Sequence, residues 1–159
     1  MKLFITLLFF ACFLTAACNA PKVAATATKA DPEKMLNLPA DPPASIIDGN
    51  RFIITEVSTD PTYGSEANPV RVGGRSPSNE RRFLEALYGP EGQELQYVRQ
   101  GSCCFFKTKN GLLNDGALLD IYEVTWEGAP EPILIYIDMY DYAPLKAPKG
   151  FSLKKSSKL

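Results

Sequence analysis

Apolar residues recur along this chain at two different periods, and the changes of period mark its expected elements. From Leu118 to Trp126 and from Ile133 to Tyr142, β-branched, aromatic and aliphatic residues are dense enough to predict two strands. Glu127-Gly128-Ala129-Pro130 supplies turn residues between them, so the pair is expected to form an antiparallel hairpin. In the second strand Ile133, Ile135, Ile137 and Met139 alternate with Leu134, Tyr136, Asp138, Tyr140 and Tyr142. Successive side chains point to opposite faces, which assigns the first set to the core and the second to a Tyr/Asp face. A third strand is expected from Leu95 to Phe106, followed by a turn at Lys109-Asn110-Gly111 and a longer loop. Shorter strands are read from Arg51 to Ser58, ending at Asp60-Pro61, and from Val70 to Val72, ending at Gly73-Gly74. The period lengthens after Ser76-Pro77-Ser78, which carries helix-start signals. A helix is expected from Asn79 to Tyr88, pairing Phe83 with Leu87 and Leu84 with Tyr88, turning Arg81, Arg82 and Glu85 to water, and ending at Gly89-Pro90. The fold class expected is α+β: a small, mainly antiparallel β-sheet of four to six strands with one principal helix.

The first residues follow a different rule. Lys2 precedes an apolar run from Leu3 to Leu14, well short of the roughly 20 residues that span a bilayer, and Leu14-Thr15-Ala16-Ala17-Cys18 closes it. This stretch resembles a bacterial lipoprotein signal with its lipobox. The resemblance implies a signal peptide over residues 1–17 and lipidation of Cys18, with the membrane as a partner through the acyl chains. Asn19, with no acidic residue beside it, points to the outer membrane facing the periplasm. Residues 18–50, rich in Ala, Pro, Thr, Lys and Asp, bury too little to offset their ordering entropy and are read as a tether reaching on the order of 30 Å. Met35, Leu36 and Leu38 offer at most one helical turn within it. Residues 51–153 form the single expected domain and residues 154–159 a basic tail. Ser157-Lys158-Leu159 matches a peroxisomal address by coincidence in a chain with a bacterial export signal.

Composition then removes whole classes of chemistry. The chain of 159 residues has a formal net charge of -1 and no basic stripe, so nucleic acid is not an expected partner. It contains no histidine, which excludes Ser-His-Asp and Cys-His nucleophile pairs, histidine zinc sites and a proximal-histidine haem. No metal and no cofactor are expected.

Three clusters are candidate sites. The export signal places Cys103-Cys104 in an oxidising compartment, where the pair is read as a redox thiol site, as buried small side chains, or as a vicinal bridge that requires a distorted turn. Arg99 and Lys107 would lower a thiol pKa only if the chain folds back on itself. Tyr136, Asp138 and Tyr140, with Asp120 and Glu123 on the preceding strand, form a candidate ligand face: a sugar platform, a carboxylate pair for hydrolysis, or tyrosines packed under a helix or loop. Gly73-Gly74, between Arg71 and Arg75, opens toward a helix N-terminus but lacks nucleotide-loop spacing and reads as a tight turn. Asn79-Glu80-Arg81-Arg82 fits a charged helix face or a buried Glu80–Arg pair.

At Asp60-Pro61-Thr62-Tyr63-Gly64, Val72-Gly73-Gly74, Asn79-Glu80-Arg81-Arg82-Phe83-Leu84, Gly101-Ser102-Cys103-Cys104, Leu119-Asp120-Ile121-Tyr122-Glu123-Val124-Thr125 and the run from Tyr136 to Tyr142, the chain resembles a family of small bacterial lipoproteins. Many members carry the name 2-dehydro-3-deoxyphosphooctonate aldolase. That name implies joining phosphoenolpyruvate to a pentose phosphate on a (β/α)8 barrel, which takes about 250 residues. Its substrates are cytoplasmic, whereas the signal exports this chain. The leading expectation is a membrane-anchored envelope lipoprotein whose domain binds a protein or polysaccharide; the alternative is an exported enzyme using the vicinal thiols or the Asp/Glu cluster, or the aldolase itself.

Overall fold

In the computed structural model, residues 47–153 apart from Gly49 are described; the expected leader, Cys18, the expected tether as far as residue 46 with Met35, Leu36 and Leu38, and Lys154, Lys155 and Lys158 lie outside them, whereas Ile47–Asp48, read as the end of the tether, forms a strand. Among the described residues eight strands and one helix follow in order: β1 (Ile47–Asp48), β2 (Arg51–Phe52), β3 (Val70–Arg71), α1 (Pro77–Leu84), β4 (Leu87–Tyr88), β5 (Leu95–Lys107), β6 (Gly116–Trp126), β7 (Ile133–Asp138) and β8 (Ser152–Leu153). The central sheet has the order β3-β7-β6-β5, and two small two-stranded pairs, β1-β2 and β4-β8, flank it. The α+β class is as expected. The sheet is mixed, because β3 runs parallel to β7 while every other pairing is antiparallel.

Alternation along β6 divides the sheet into two faces. Register places Asp120 opposite Ile137, Tyr122 opposite Ile135 and Val124 opposite both Ile133 and Tyr97, so these side chains share the inner face. Ile121 opposite Tyr136 and Glu123 opposite Leu134 and Val98 make the outer face. Phe83 and Leu84 of α1 are fully buried and join Phe52, Tyr122, Val124, Ile135 and Ile137 in one core. Tyr97 and Tyr122 meet edge to face at 6.0 Å, and Trp126 meets Phe151 at 5.6 Å.

The helix is shorter than its apolar pattern predicts. Ser76 caps it, accepting from the Ser78 N–H at 3.3 Å, and Pro77 opens it. It ends at Leu84 because Leu87 and Tyr88 pair with Leu153 and Ser152 instead. Leu87 is still buried, so the apolar residue that suggested another helical turn serves the core from a strand. Gly73 lets the chain turn sharply ahead of the helix: its φ is +63°, and a side chain there would press on Tyr142 at 3.1 Å.

Two strands are also shorter than expected. Only Arg51–Phe52 is paired near the start, and the chain beyond it is irregular apart from a Val57–Ala147 bridge. β7 stops at Asp138, whose Oδ1 accepts the Tyr140 and Asp141 N–H groups at 2.7 and 3.0 Å and folds the chain into a turn. Asp138 is thus buried rather than displayed, and Ile133, assigned to the core, is 37% exposed at the sheet end.

Phe83→Ala is expected to lower unfolding stability by about 3–5 kcal/mol, because a fully buried aromatic ring is removed from the helix–sheet contact. Urea denaturation of the domain measures it; a loss comparable to that of a surface substitution would contradict the packing described.

Candidate functional site

The densest polar arrangement lies under α1, on the inner face of β5 and β6. Glu80 belongs to the stripe that carries Phe83 and Leu84 at i+3 and i+4, so the helix that buries those residues buries the carboxyl as well. Glu80 is wholly inaccessible, and its Oε2 accepts from the Tyr122 hydroxyl at 2.8 Å. The same carboxyl approaches Asp120 closely enough for a side-chain hydrogen bond between the two acids. Asp120 shares the inner face with Tyr122 and is held by Arg99: Nε to Oδ2 and Nη2 to Oδ1, both 2.8 Å. Ser102 completes the network, donating to Asp120 Oδ1 at 2.7 Å and accepting from Arg99 Nη2 at 2.6 Å.

Two neighbouring carboxyls are thereby driven apart. Burial, and then the charge of Asp120, push Glu80 up to about 8 against the weaker opposing effect of the Tyr122 hydrogen bond. Burial would raise Asp120 too, but the Arg99 and Ser102 hydrogen bonds outweigh it and hold it below the ordinary range. Burial and the Glu80 charge raise the Tyr122 hydroxyl. Near neutrality the cluster therefore holds a protonated Glu80, an ionised Asp120 and a cationic Arg99. Split carboxyls are a signature of acid–base sites. Here the acid is sealed beneath the helix, and Arg99 and Ser102 are the exposed members of the network.

The sequence-derived ligand face is divided. Asp120 points inward, whereas Glu123 and Tyr136 lie on the outer face, because residues of opposite parity on one strand cannot share a face. Tyr140 sits near the inner carboxyls: burial, then Asp120, Asp138 and Glu80, raise its hydroxyl. Asp138 is fully buried, pushed up to about 6 by burial despite its two backbone N–H bonds, and its Oδ2 lies 3.9 Å from Arg71 Nε. Glu80 takes Tyr122, not an arginine, as its partner. The alternation of Asp120, Tyr122 and Val124 and the spacing of Glu80 to Phe83 and Leu84 are the signals that would have found this cluster.

Cys103 and Cys104 form a vicinal disulfide. Strand geometry alone forbids it, and a bulge supplies the missing distortion: Cys103 faces Leu119 and Phe106 faces Ala117, leaving one extra residue on β5. Cys104 takes φ +61° there. Gln100 is the extra residue of an earlier bulge, next to Gly101 at φ +147°. Both cysteines are partly exposed, and Cys103 belongs to the outer face opposite Leu119.

A cavity of about 390 Å³ lies elsewhere, between the end of α1, β2, β4 and the start of β5. Leu84, Leu87 and Leu95 give it apolar walls; Asn50, Arg51, Glu85, Tyr88, Glu94 and Tyr97 give it polar ones. Arg51 Nη1 donates to Tyr88 Oη at 3.0 Å, Tyr97 Oη donates to Glu85 Oε1 at 3.1 Å, and Asn50 Nδ2 donates to Glu85 Oε2 at 3.0 Å. These bonds fix the polar groups before any ligand arrives. A smaller cavity of about 150 Å³ is lined by residues including Tyr63, Ile135 and Phe151. Neither is lined by Cys103, Cys104, Asp120, Glu123 or Asp138. Among the described residues no cluster of three or more acidic or cysteine side chains is placed to hold a metal ion, and no helix is long and apolar enough to cross a membrane.

Comparison with family models, with curated proteins and with solved structures finds no match for the chain.

Folding leaves Glu80 protonated up to about pH 8, whereas a free glutamate ionises near 4.5. The folded state thus binds more protons than the unfolded state between these values, and stability falls as pH rises across that window. Asp138 adds the same sign between 3.8 and about 6, while Asp120, with its lowered value, opposes it only in the acid range. Glu80→Gln is expected to flatten the decline between roughly pH 6 and 8. Urea titrations of both proteins across that range measure it; equal slopes would contradict the assignment.

Proposed function

We propose that this protein is a lipid-anchored binding module of the bacterial envelope, held through Cys18 on the outer membrane facing the periplasm, with a protein or polysaccharide as its partner. The observation that carries the binding role is the cavity framed by Arg51, Glu85, Tyr88 and Tyr97, in which polar groups are fixed by one another around leucine walls. The anchor rests on the leader, where Leu14-Thr15-Ala16-Ala17-Cys18 follows a short apolar run. A disulfide at Cys103–Cys104 suits an oxidising compartment.

The enzymatic alternatives have less support. Hydrolysis by a carboxylate pair drawn from Asp120, Glu123 and Asp138 requires two of them to face one substrate, whereas Asp120 and Glu123 lie on opposite faces of the sheet and Asp138 is buried. The described residues hold a four-stranded mixed sheet and one helix, which lends no support to the barrel that the aldolase name implies.

Cys18→Ala is expected to move the protein from the membrane fraction to the soluble fraction, and mass spectrometry of the native protein is expected to find acyl chains on an N-terminal Cys18. An intact leader or an unmodified first residue would defeat the anchoring. Cross-linking in intact cells is expected to capture a partner on the native protein and lose it on Arg51→Ala. Capture that is equal on both would remove the cavity from the function.

A further inference from the structure

Strand β5 is an edge of the central sheet and within that sheet pairs with β6 alone, while Tyr88 bridges Glu94 just before its first residue. Its register is unbroken from Leu95 to Arg99, a stretch of about 17 Å, before the Gln100 bulge bends it away. Gln96, Val98 and Arg99 are exposed along it, Val98 at 62%. An open, regular strand edge carries unpaired N–H and C=O groups and serves as a template for another strand. Bulges protect the rest of β5, since Gln100 and the disulfide segment both interrupt its pairing.

The 390 Å³ cavity adjoins this free stretch. Leu95 and Tyr97 line it from the inner face of β5, its other walls come from β2, the end of α1 and β4, and no lining residue comes from β6 or β7. A strand added at this edge would direct alternate side chains to the inner face, where the cavity lies. The cavity has a sign. Its one cation, Arg51, is engaged with Tyr88, whereas it holds two carboxylates, Glu85 and Glu94. Glu94 makes no side-chain hydrogen bond or ion pair among the described residues, and Leu84, Leu87 and Leu95 line the same cavity. A long side chain with an apolar stem and a cationic head complements that lining.

We propose that the Leu95–Arg99 edge of β5 accepts an extended peptide as a fifth strand, and that one lysine or arginine of this peptide enters the cavity to meet Glu85 and Glu94. The proposal rests on the binding role given above and adds the class of partner, an extended basic segment of another protein. Backbone pairing supplies affinity and the cavity supplies selectivity for the basic side chain.

The test is selection of a displayed library of random seven-residue peptides on the full chain in detergent, followed by synthesis of the enriched peptide. Enrichment of a basic residue flanked by strand-forming residues is expected, with slowed amide exchange at Leu95–Arg99 when the synthetic peptide binds. Glu94→Gln is expected to weaken its affinity roughly threefold or more, while Glu91→Gln, outside the cavity, leaves it unchanged. Enrichment without a basic residue, no enrichment, or protection elsewhere on the domain would overturn the proposal. Protection of the same amides by self-association alone would overturn it in favour of a second copy at this edge. None of these outcomes depends on Cys18, so failure here is distinguishable from failure of the membrane anchor.

Discussion

Glu80 ties the helix to the middle of the sheet through its hydrogen bond with the Tyr122 hydroxyl and its contact with Asp120, and the placement of charge around it follows from that burial. A glutamate placed beneath a helix, against an aspartate, is tolerable only if one of the two keeps its proton. Arg99 and Ser102 decide which one by stabilising the charge on Asp120, and Glu80 is left as the neutral acid. The helix stripe of Glu80, Phe83 and Leu84 then docks as a largely uncharged surface. The polar cluster is therefore a structural joint that titrates, with its exposed end at Arg99 and Ser102.

β6 sets the positions of everything around it. Its inward residues receive the helix, while on its outward side Ile121 and Glu123 remain half-exposed beside Val98, Tyr136 and Leu134 and Ala117 and Leu119 are buried. β5 follows this template for five residues and then departs twice, first at Gln100 and again at the disulfide. Each departure uses a positive φ, at Gly101 and at Cys104. The irregular half of the edge strand is therefore unfit for pairing, and the regular half is left open beside the cavity.

That cavity was not legible in the sequence, for a reason that its lining makes plain. Asn50, Arg51, Glu85, Tyr88, Glu94 and Tyr97 come from four separate segments, and no local pattern brings them together. The carboxyl cluster was half legible. Helical spacing already placed Glu80 with Phe83 and Leu84, and strand parity already separated Asp120 from Glu123, yet the proximity of residues in the same stretch suggested one shared face. Asp138 misled in another way: alternation predicted an exposed side chain, but the turn that ends β7 draws its carboxylate inward onto two N–H groups.

By itself the sequence determined the α+β class, the long central strands, the capped start of the helix and the exclusion of histidine chemistry, because these follow from composition and from the periods of apolar residues. Tertiary structure alone decided where the helix stops, since Leu87 and Tyr88 gain a strand partner more than 60 residues away in Ser152–Leu153. It also decided that β3 joins in parallel, that the two cysteines are bonded across a bulge, and that Glu80 keeps its proton. Each of these depends on a contact between residues remote in the chain, and local propensity carries no information about such contacts.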